Sequence, residues 1–123
     1  MEFRFLKKNA DEFLSNALHL LERGVYNLSA FSIEQAVQLY LKYFLAMKVG
    51  EFPKTHSIKR LIAVCHQFCP ELKEIFDEDI NIIGEIETAY ISSRYYPIEF
   101  TEKEVENMLK TAKRIREAVM RCL

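Results

Sequence analysis

Glycine and proline are scarce in this chain of 123 residues, which contains three of each. Strand-rich folds of this size need more turn residues, because every hairpin requires a tight reversal of the chain. The sequence also has no alternating run of β-branched residues, the pattern typical of a half-buried strand. These absences argue against a β-sheet fold and favour long helices joined by few turns.

A long uncharged segment is also missing. No 18 consecutive residues are free of charge, and the first nine residues lack the apolar core of a signal peptide. The three cysteines form an odd set that does not suggest a disulfide framework. We therefore expect a cytoplasmic protein that does not cross a membrane.

A strong net charge is absent too, because 17 lysines and arginines nearly balance 18 acids. No overall field therefore attracts the protein to nucleic acid. The charges are nevertheless unevenly distributed, since residues 71–87 are acidic and the C-terminal segment is basic. We attribute part of this asymmetry to helix electrostatics, because cations are favoured near the C-terminus of a helix.

The segment 26–47 is apolar around most of its helical circumference. A helix with apolar residues on so many sides needs neighbours on at least two of them, so we expect the inner helix of a bundle. One narrow polar line interrupts it at helical spacing, formed by Asn27, Glu34, Gln35, Gln38 and Lys42. That line is either the helix's only solvent-exposed strip or the wall of a cleft.

Capping and turn signals divide the chain into further helices. We predict helices over residues 4–23, 26–49, 57–68 and 78–95, a short helical turn over 71–77, and a last helix that starts at the capping box of Thr101 and Glu104. Short connections between long helices favour antiparallel neighbours. We therefore expect an all-α, antiparallel up-and-down bundle of four long helices plus a fifth short or C-terminal helix, with residues 1–123 as a single domain.

Three motifs, in order and at matching spacing, resemble those of HEPN domains. Residues 30–42, AFSIEQAVQLYLK, resemble the family's central second helix, in which a Gln-Ala pair precedes Leu-Lys. Residues 54–57, KTHS, resemble the Thr-His start of its third helix. Residues 90–97, YISSRYYP, resemble the Arg-Tyr-Pro end of its fourth helix, with one additional tyrosine. The resemblance extends over essentially the whole chain.

This resemblance implies a helical bundle that often forms a homodimer and binds a nucleotide or RNA, frequently beside a separate minimal nucleotidyltransferase in a toxin–antitoxin type of pair. Many members are ribonucleases that use an arginine and a histidine four to six residues later. No histidine follows Arg94 here, so the acid–base partner is absent at the matching position. We therefore expect a non-catalytic HEPN-type module without cofactor or metal, which binds a nucleotide or RNA or acts as the substrate-binding partner of a nucleotidyltransferase.

Arg94 is the first candidate for ligand binding, because it lies one helical turn after Tyr90 and borders the inward-facing stripe of its helix. A phosphate would pair with its guanidinium while Tyr90 or Tyr95 stacks on a base. The alternative is structural: Arg94 caps the last carbonyl groups of its own helix and pairs with Glu34.

Five further candidates lie on other segments. Gln35, Gln38 and Lys42 would donate hydrogen bonds along a cleft wall; the alternative is a solvent strip with interhelix hydrogen bonds. Lys54 and His56 precede the third helix, where free backbone N–H groups and positive charge suit an anion. The alternative for His56 is that it anchors the loop.

Two other functions stay open. A metal-independent ribonuclease would use Arg94 with an unconventional partner, or Arg60 with His66 from a second subunit. A protein-interaction module would use exposed aromatic residues such as Phe5 and Phe100.

Cys65 and Cys69 are four residues apart, a spacing at which two thiols on a helix can share a metal ion. Tetrahedral zinc requires four ligands, and no second pair of cysteine or histidine is near in sequence. We therefore expect no metal site, and we expect Cys65 to pack as a small apolar side chain.

Overall fold

The computed structural model describes residues 3–123, and within this range the chain forms only α-helices. In chain order they are α1 (Arg4–Glu22), α2 (Tyr26–Val49), α3 (Ile58–Cys65), α4 (Pro70–Glu78), α5 (Ile80–Tyr95) and α6 (Glu102–Cys122). This confirms the all-α prediction. Residues 1 and 2, at the start of the predicted domain, lie outside the described residues.

The structure has one helix more than the predicted count, because the segment expected to be a short helical turn is the separate helix α4. Pro70 occupies its first turn, where the missing proline N–H has no intrahelical role. Asp79 ends α4 and precedes α5: its N–H donates to the carbonyl oxygen of Ile75, and its own carbonyl accepts from Ile83. The helix predicted over 78–95 therefore begins two residues later than expected.

α2 is the inner helix, as its apolar circumference predicts. It contacts α1, α3, α5 and α6, and 14 of its 24 residues are buried. Gly50 ends it at a φ of 83°, a left-handed conformation that glycine adopts without steric cost. Because four helices pack on α2, its side chains fix the positions of side chains on its neighbours.

A hydrogen-bond network holds α1 and α6 against α2. The Tyr40 hydroxyl of α2 donates to a carboxylate oxygen of Asp11 on α1 at 2.5 Å. The Nε of Arg116 on α6 donates to both of these groups, each at 3.2 Å. A buried tyrosine hydroxyl therefore has its partners within the bundle.

Part of the uneven charge of the sequence is paired between α6 and residues 71–79. The guanidinium of Arg114 contacts Glu78 at 2.6 Å and Asp79 at 3.0 Å, and Arg121 pairs with Glu71. Pairs this exposed each contribute little to stability, but they orient the two helices. The asymmetry thus reflects pairing between helices, in addition to the helix electrostatics expected from the sequence.

Within residues 3–123, no helix has the length and apolar character that crossing a membrane requires.

Cys69 and Cys122 form a disulfide, with Cα atoms 5.7 Å apart, which overturns the expectation from the cysteine count. The bond joins the start of α4 to the end of α6, across 53 residues of sequence. Sequence spacing could not indicate it, because the bundle alone brings these ends together. Cys65 is free and buried, and burial raises the pKa of its thiol to about 12. The cysteine argument for a cytoplasmic location therefore no longer holds.

We expect Cys122→Ser to lower the free energy of unfolding by about 2–4 kcal/mol, because the disulfide restricts the unfolded chain. Urea denaturation without reductant measures the difference, and dithiothreitol should abolish it. Cys65→Ala is the matched control, since it leaves the disulfide intact and should stay sensitive to reductant. Wild-type stability that does not respond to dithiothreitol would contradict the disulfide.

Candidate functional site

Three aromatic rings surround the guanidinium of Arg94 at the C-terminal end of α5, and a fourth stacks on one of them. Its central carbon lies 4.9 Å from the ring centroid of Phe31 on α2, 4.7 Å from that of Tyr90 and 5.0 Å from that of Tyr95. The imidazole of His56, from the segment before α3, stacks on Tyr90 with centroids 4.7 Å apart and planes at 28°. We call these five residues the Arg94 cluster. Three separate segments contribute to it.

Arg94 is bound to its own helix and not to Glu34. Its Nε donates to the carbonyl oxygen of Tyr90 at 2.9 Å, and Nη2 donates to the same oxygen. Within residues 3–123 it forms no ion pair, so the predicted pairing with Glu34 is wrong. The predicted capping is not observed either, because the carbonyl group of Tyr90 lies before the last four carbonyl groups of α5. The Arg94 side chain is exposed.

A groove of about 430 Å³ lies along α5 beside the Arg94 cluster. His56 and Tyr90 belong to both, and the other lining residues are Ser57, Glu87, Thr88, Ile91, Ser92 and Tyr96. We call it the α5 groove. It lies in the size range of small-ligand pockets, about 300–1,000 Å³, and has their mixture of apolar walls with a few polar groups.

Most residues of the α5 groove were not selected from the sequence. The sequence did contain a pattern that indicates this face. Residues 87, 88, 91 and 92 lie one helical turn apart on α5, and residue 96 follows at the same spacing. Tyr96 is 57% exposed and Tyr95 is 70% exposed, so two aromatic rings project at the end of this face. Tyr90 is not free for stacking in the same way, because His56 and Arg94 both pack on its ring.

The first turn of α3 does not offer the free N–H groups that were expected near Lys54 and His56. Glu87 of α5 accepts there through Oε1, from the backbone N–H of Lys59 at 3.0 Å and from the hydroxyl of Ser57 at 3.1 Å. The Ser57 hydroxyl in turn accepts from the N–H of Arg60. A carboxylate of the chain itself thus occupies the place predicted for an anion. Lys54 is exposed in the preceding loop.

None of the five residues of the α2 polar line is exposed, so it is not a solvent strip: two are buried and three are half-buried. Glu34 is fully buried and Gln38 is 4% exposed. The Nε2 of Gln35 donates to Glu34 at 2.7 Å, and Gln38 donates to the same carboxylate. The amides predicted to face a cleft therefore satisfy a carboxyl group of their own helix. Lys42 is half-buried, with Nζ 5.9 Å from the ring centroid of Phe52.

Burial raises the pKa of Glu34 to about 7, although the hydrogen bonds from Gln38 and Gln35 and the charge of Arg94 oppose the rise. The pKa of Lys42 is lowered by burial, and the charge of Glu34 opposes that change. Burial therefore favours the neutral form of the Glu34 carboxyl group.

Comparison with known proteins agrees with this architecture. The family model of the HEPN domain matches residues 3–122. The crystal structure of TT1696 from Thermus thermophilus has a similar fold, with a TM-score of 0.84, 24% sequence identity and 98% of each chain covered. Identity at this level shows a shared fold and nothing about ligand or activity. No curated protein matches the chain.

Glu34 is expected to make stability depend on pH. Because its pKa is higher in the folded protein, the folded state binds more protons, and the free energy of unfolding falls as pH rises from 4.5 to about 7. We expect Glu34→Gln to raise this free energy by about 1–3 kcal/mol near pH 8 and to change it much less near pH 4.5.

Urea denaturation at the two pH values measures this difference. Glu74→Gln is the control, since Glu74 is exposed on α4 and should give no pH-dependent change. An effect of Glu34→Gln that is equal at both pH values would contradict the assignment.

Proposed function

Because the chain belongs to the HEPN domain family, we propose that it is a non-catalytic HEPN-type module that binds a nucleotide unit, either free or at an RNA end. One observation supports this most strongly: within residues 3–123 the Arg94 guanidinium has no ion-pair partner, yet it is fixed over three aromatic rings at the rim of a groove. An unpaired, oriented guanidinium beside exposed rings matches a phosphate attached to a base.

The phosphate would bind the outer edge of Arg94. Two of its nitrogens already share the carbonyl oxygen of Tyr90, so the remaining N–H groups point away from α5. Packing against Phe31 and Tyr95 holds the side chain in place, which reduces the conformational entropy lost on binding.

The base would stack on Tyr95 or Tyr96, whose rings are largely exposed. Tyr90 then supports the site from below, because its own ring is covered by His56 and Arg94. Stacking of a base on an aromatic side chain contributes roughly 1–3 kcal/mol, and it is compatible with every base.

The biological setting that we propose follows from family membership. The module would form a homodimer and would hold the substrate of a separate minimal nucleotidyltransferase, in a pair of the toxin–antitoxin type. Exposed apolar side chains beside the Arg94 cluster, Ile91 and Ile98 among them, are suited to such contacts.

A metal-independent ribonuclease is the second candidate, and the position of His56 favours it. His56 and Arg94 both lie 4.7 Å from the ring centroid of Tyr90, so a histidine reaches the surroundings of Arg94 although none follows it in sequence. His56 would transfer the proton while Arg94 stabilises the phosphate charge.

Binding of a nucleotide should depend on Arg94. We expect Arg94→Ala to weaken binding of a mononucleotide or a short single-stranded RNA by about tenfold, the loss of one charge-assisted contact. Calorimetric titration measures the affinity, and Arg23→Ala is the control, since Arg23 is an exposed arginine at the end of α1. Binding of RNA without binding of mononucleotides would identify an RNA end as the ligand.

The proposal fails if neither ligand shows saturable binding at millimolar concentration, or if both arginine variants bind as wild type does.

Incubation of the protein with total RNA separates the two candidates. A non-catalytic module leaves the RNA intact. Cleavage that disappears in both Arg94→Ala and His56→Ala, while persisting in Arg23→Ala, would replace the first candidate with the ribonuclease.

A further inference from the structure

We infer that the α5 groove selects a base with an exocyclic amino group, and that Glu87 is the residue that reads it. This inference rests on the proposed function. It adds which bases of a bound nucleotide the groove prefers.

The serine and threonine hydroxyl groups of the α5 groove can only accept hydrogen bonds from a ligand. The Ser57 hydroxyl donates its hydrogen to Glu87, that of Thr88 to the carbonyl oxygen of Glu85 at 2.9 Å, and that of Ser92 to the carbonyl oxygen of Thr88 at 2.9 Å. Each of these hydroxyls has one hydrogen, and all three are used within the protein. The three side chains beside Glu87 therefore present lone pairs.

Glu87 adds the strongest acceptor to this surface. Its Oε1 is held by the hydroxyl of Ser57 and the N–H of Lys59, while Oε2 has no donor within residues 3–123. In the same range the carboxylate forms no ion pair. A half-buried carboxylate with a fixed position and an unused oxygen favours a ligand that donates N–H groups.

The remaining walls suit a flat group. Tyr90, Ile91 and Tyr96 line the groove with two rings and an aliphatic side chain. Arg94 packs on the ring of Tyr90 and so places a cation beside the groove. A flat base that donates N–H groups and carries a phosphate fits the aromatic walls, the Glu87 carboxylate and the Arg94 cation.

Adenine, cytosine and guanine meet this description because each has an exocyclic amino group. Uracil has a single ring N–H between two carbonyl oxygens, so its lone pairs would face the carboxylate and hydroxyl oxygens of the groove. A site whose polar groups match a donor discriminates strongly against an analogue that lacks it.

The test compares CMP with UMP, which differ at the base by an amino group in place of a carbonyl, and GMP with IMP, which lacks the amino group. We expect wild-type protein to bind the amino member of each pair at least about tenfold more tightly. Because this comparison changes only the ligand, it does not depend on the folding of a variant. Calorimetry measures all four affinities.

Two variants test the role of Glu87. Glu87→Gln keeps an oxygen for Ser57 and Lys59 and replaces the free oxygen with an amide NH₂, so it should reduce the preference for CMP to about twofold or less. Glu74→Gln makes the same change at an exposed position of α4 outside the groove, so it should retain the preference.

Equal affinity of wild type for the paired nucleotides, or an unchanged preference in Glu87→Gln, would overturn this inference and leave the proposed function standing. Absence of binding for all four nucleotides would overturn both.

Discussion

Burial of α2 on four sides is the constraint on which the rest of the structure depends. Because α1, α3, α5 and α6 all pack on it, its buried residues are held between neighbouring helices. Phe31 supports the guanidinium of Arg94, and Asn27 binds the connection that follows α5, through Ile98 at 3.0 Å and Phe100 at 2.9 Å. The same burial leaves Glu34 dependent on Gln35 and Gln38 for hydrogen bonds. The site at the end of α5 is thus positioned by the inner helix.

The fold could be predicted because its determinants are local. An apolar circumference over 26–47 requires neighbours, and the capping box of Thr101 and Glu104 starts α6 where both reciprocal hydrogen bonds are observed. The disulfide of Cys69 with Cys122 could not be predicted, because it depends on how the helices pack over 53 residues. The family model supports the architecture independently.

The candidate site was predictable along α5 and, in part, at the start of α3. Tyr90, Arg94 and Tyr95 are related by helical spacing, so one segment of sequence brings them together. His56 was a candidate from its place before α3, but its stacking on Tyr90 and the hydrogen bond from the N–H of Lys59 to Glu87 depend on packing between two segments. The environment of the α2 polar line could not be predicted either, because it depends on how neighbouring helices pack. Periodicity places residues on a face but does not say whether that face meets water, a ligand or a buried carboxylate.

The central claim is that the end of α5 is a binding site built around Arg94, which has no ion pair within residues 3–123. Mapping of ¹⁵N chemical shifts, including the Arg94 Nε–H, during addition of CMP tests it most directly. The account predicts saturable changes confined to Arg94, the α5 groove and the neighbouring tyrosines. Changes centred instead on the surface of α1 near Lys8 and Glu12, or no changes at millimolar nucleotide, would contradict it.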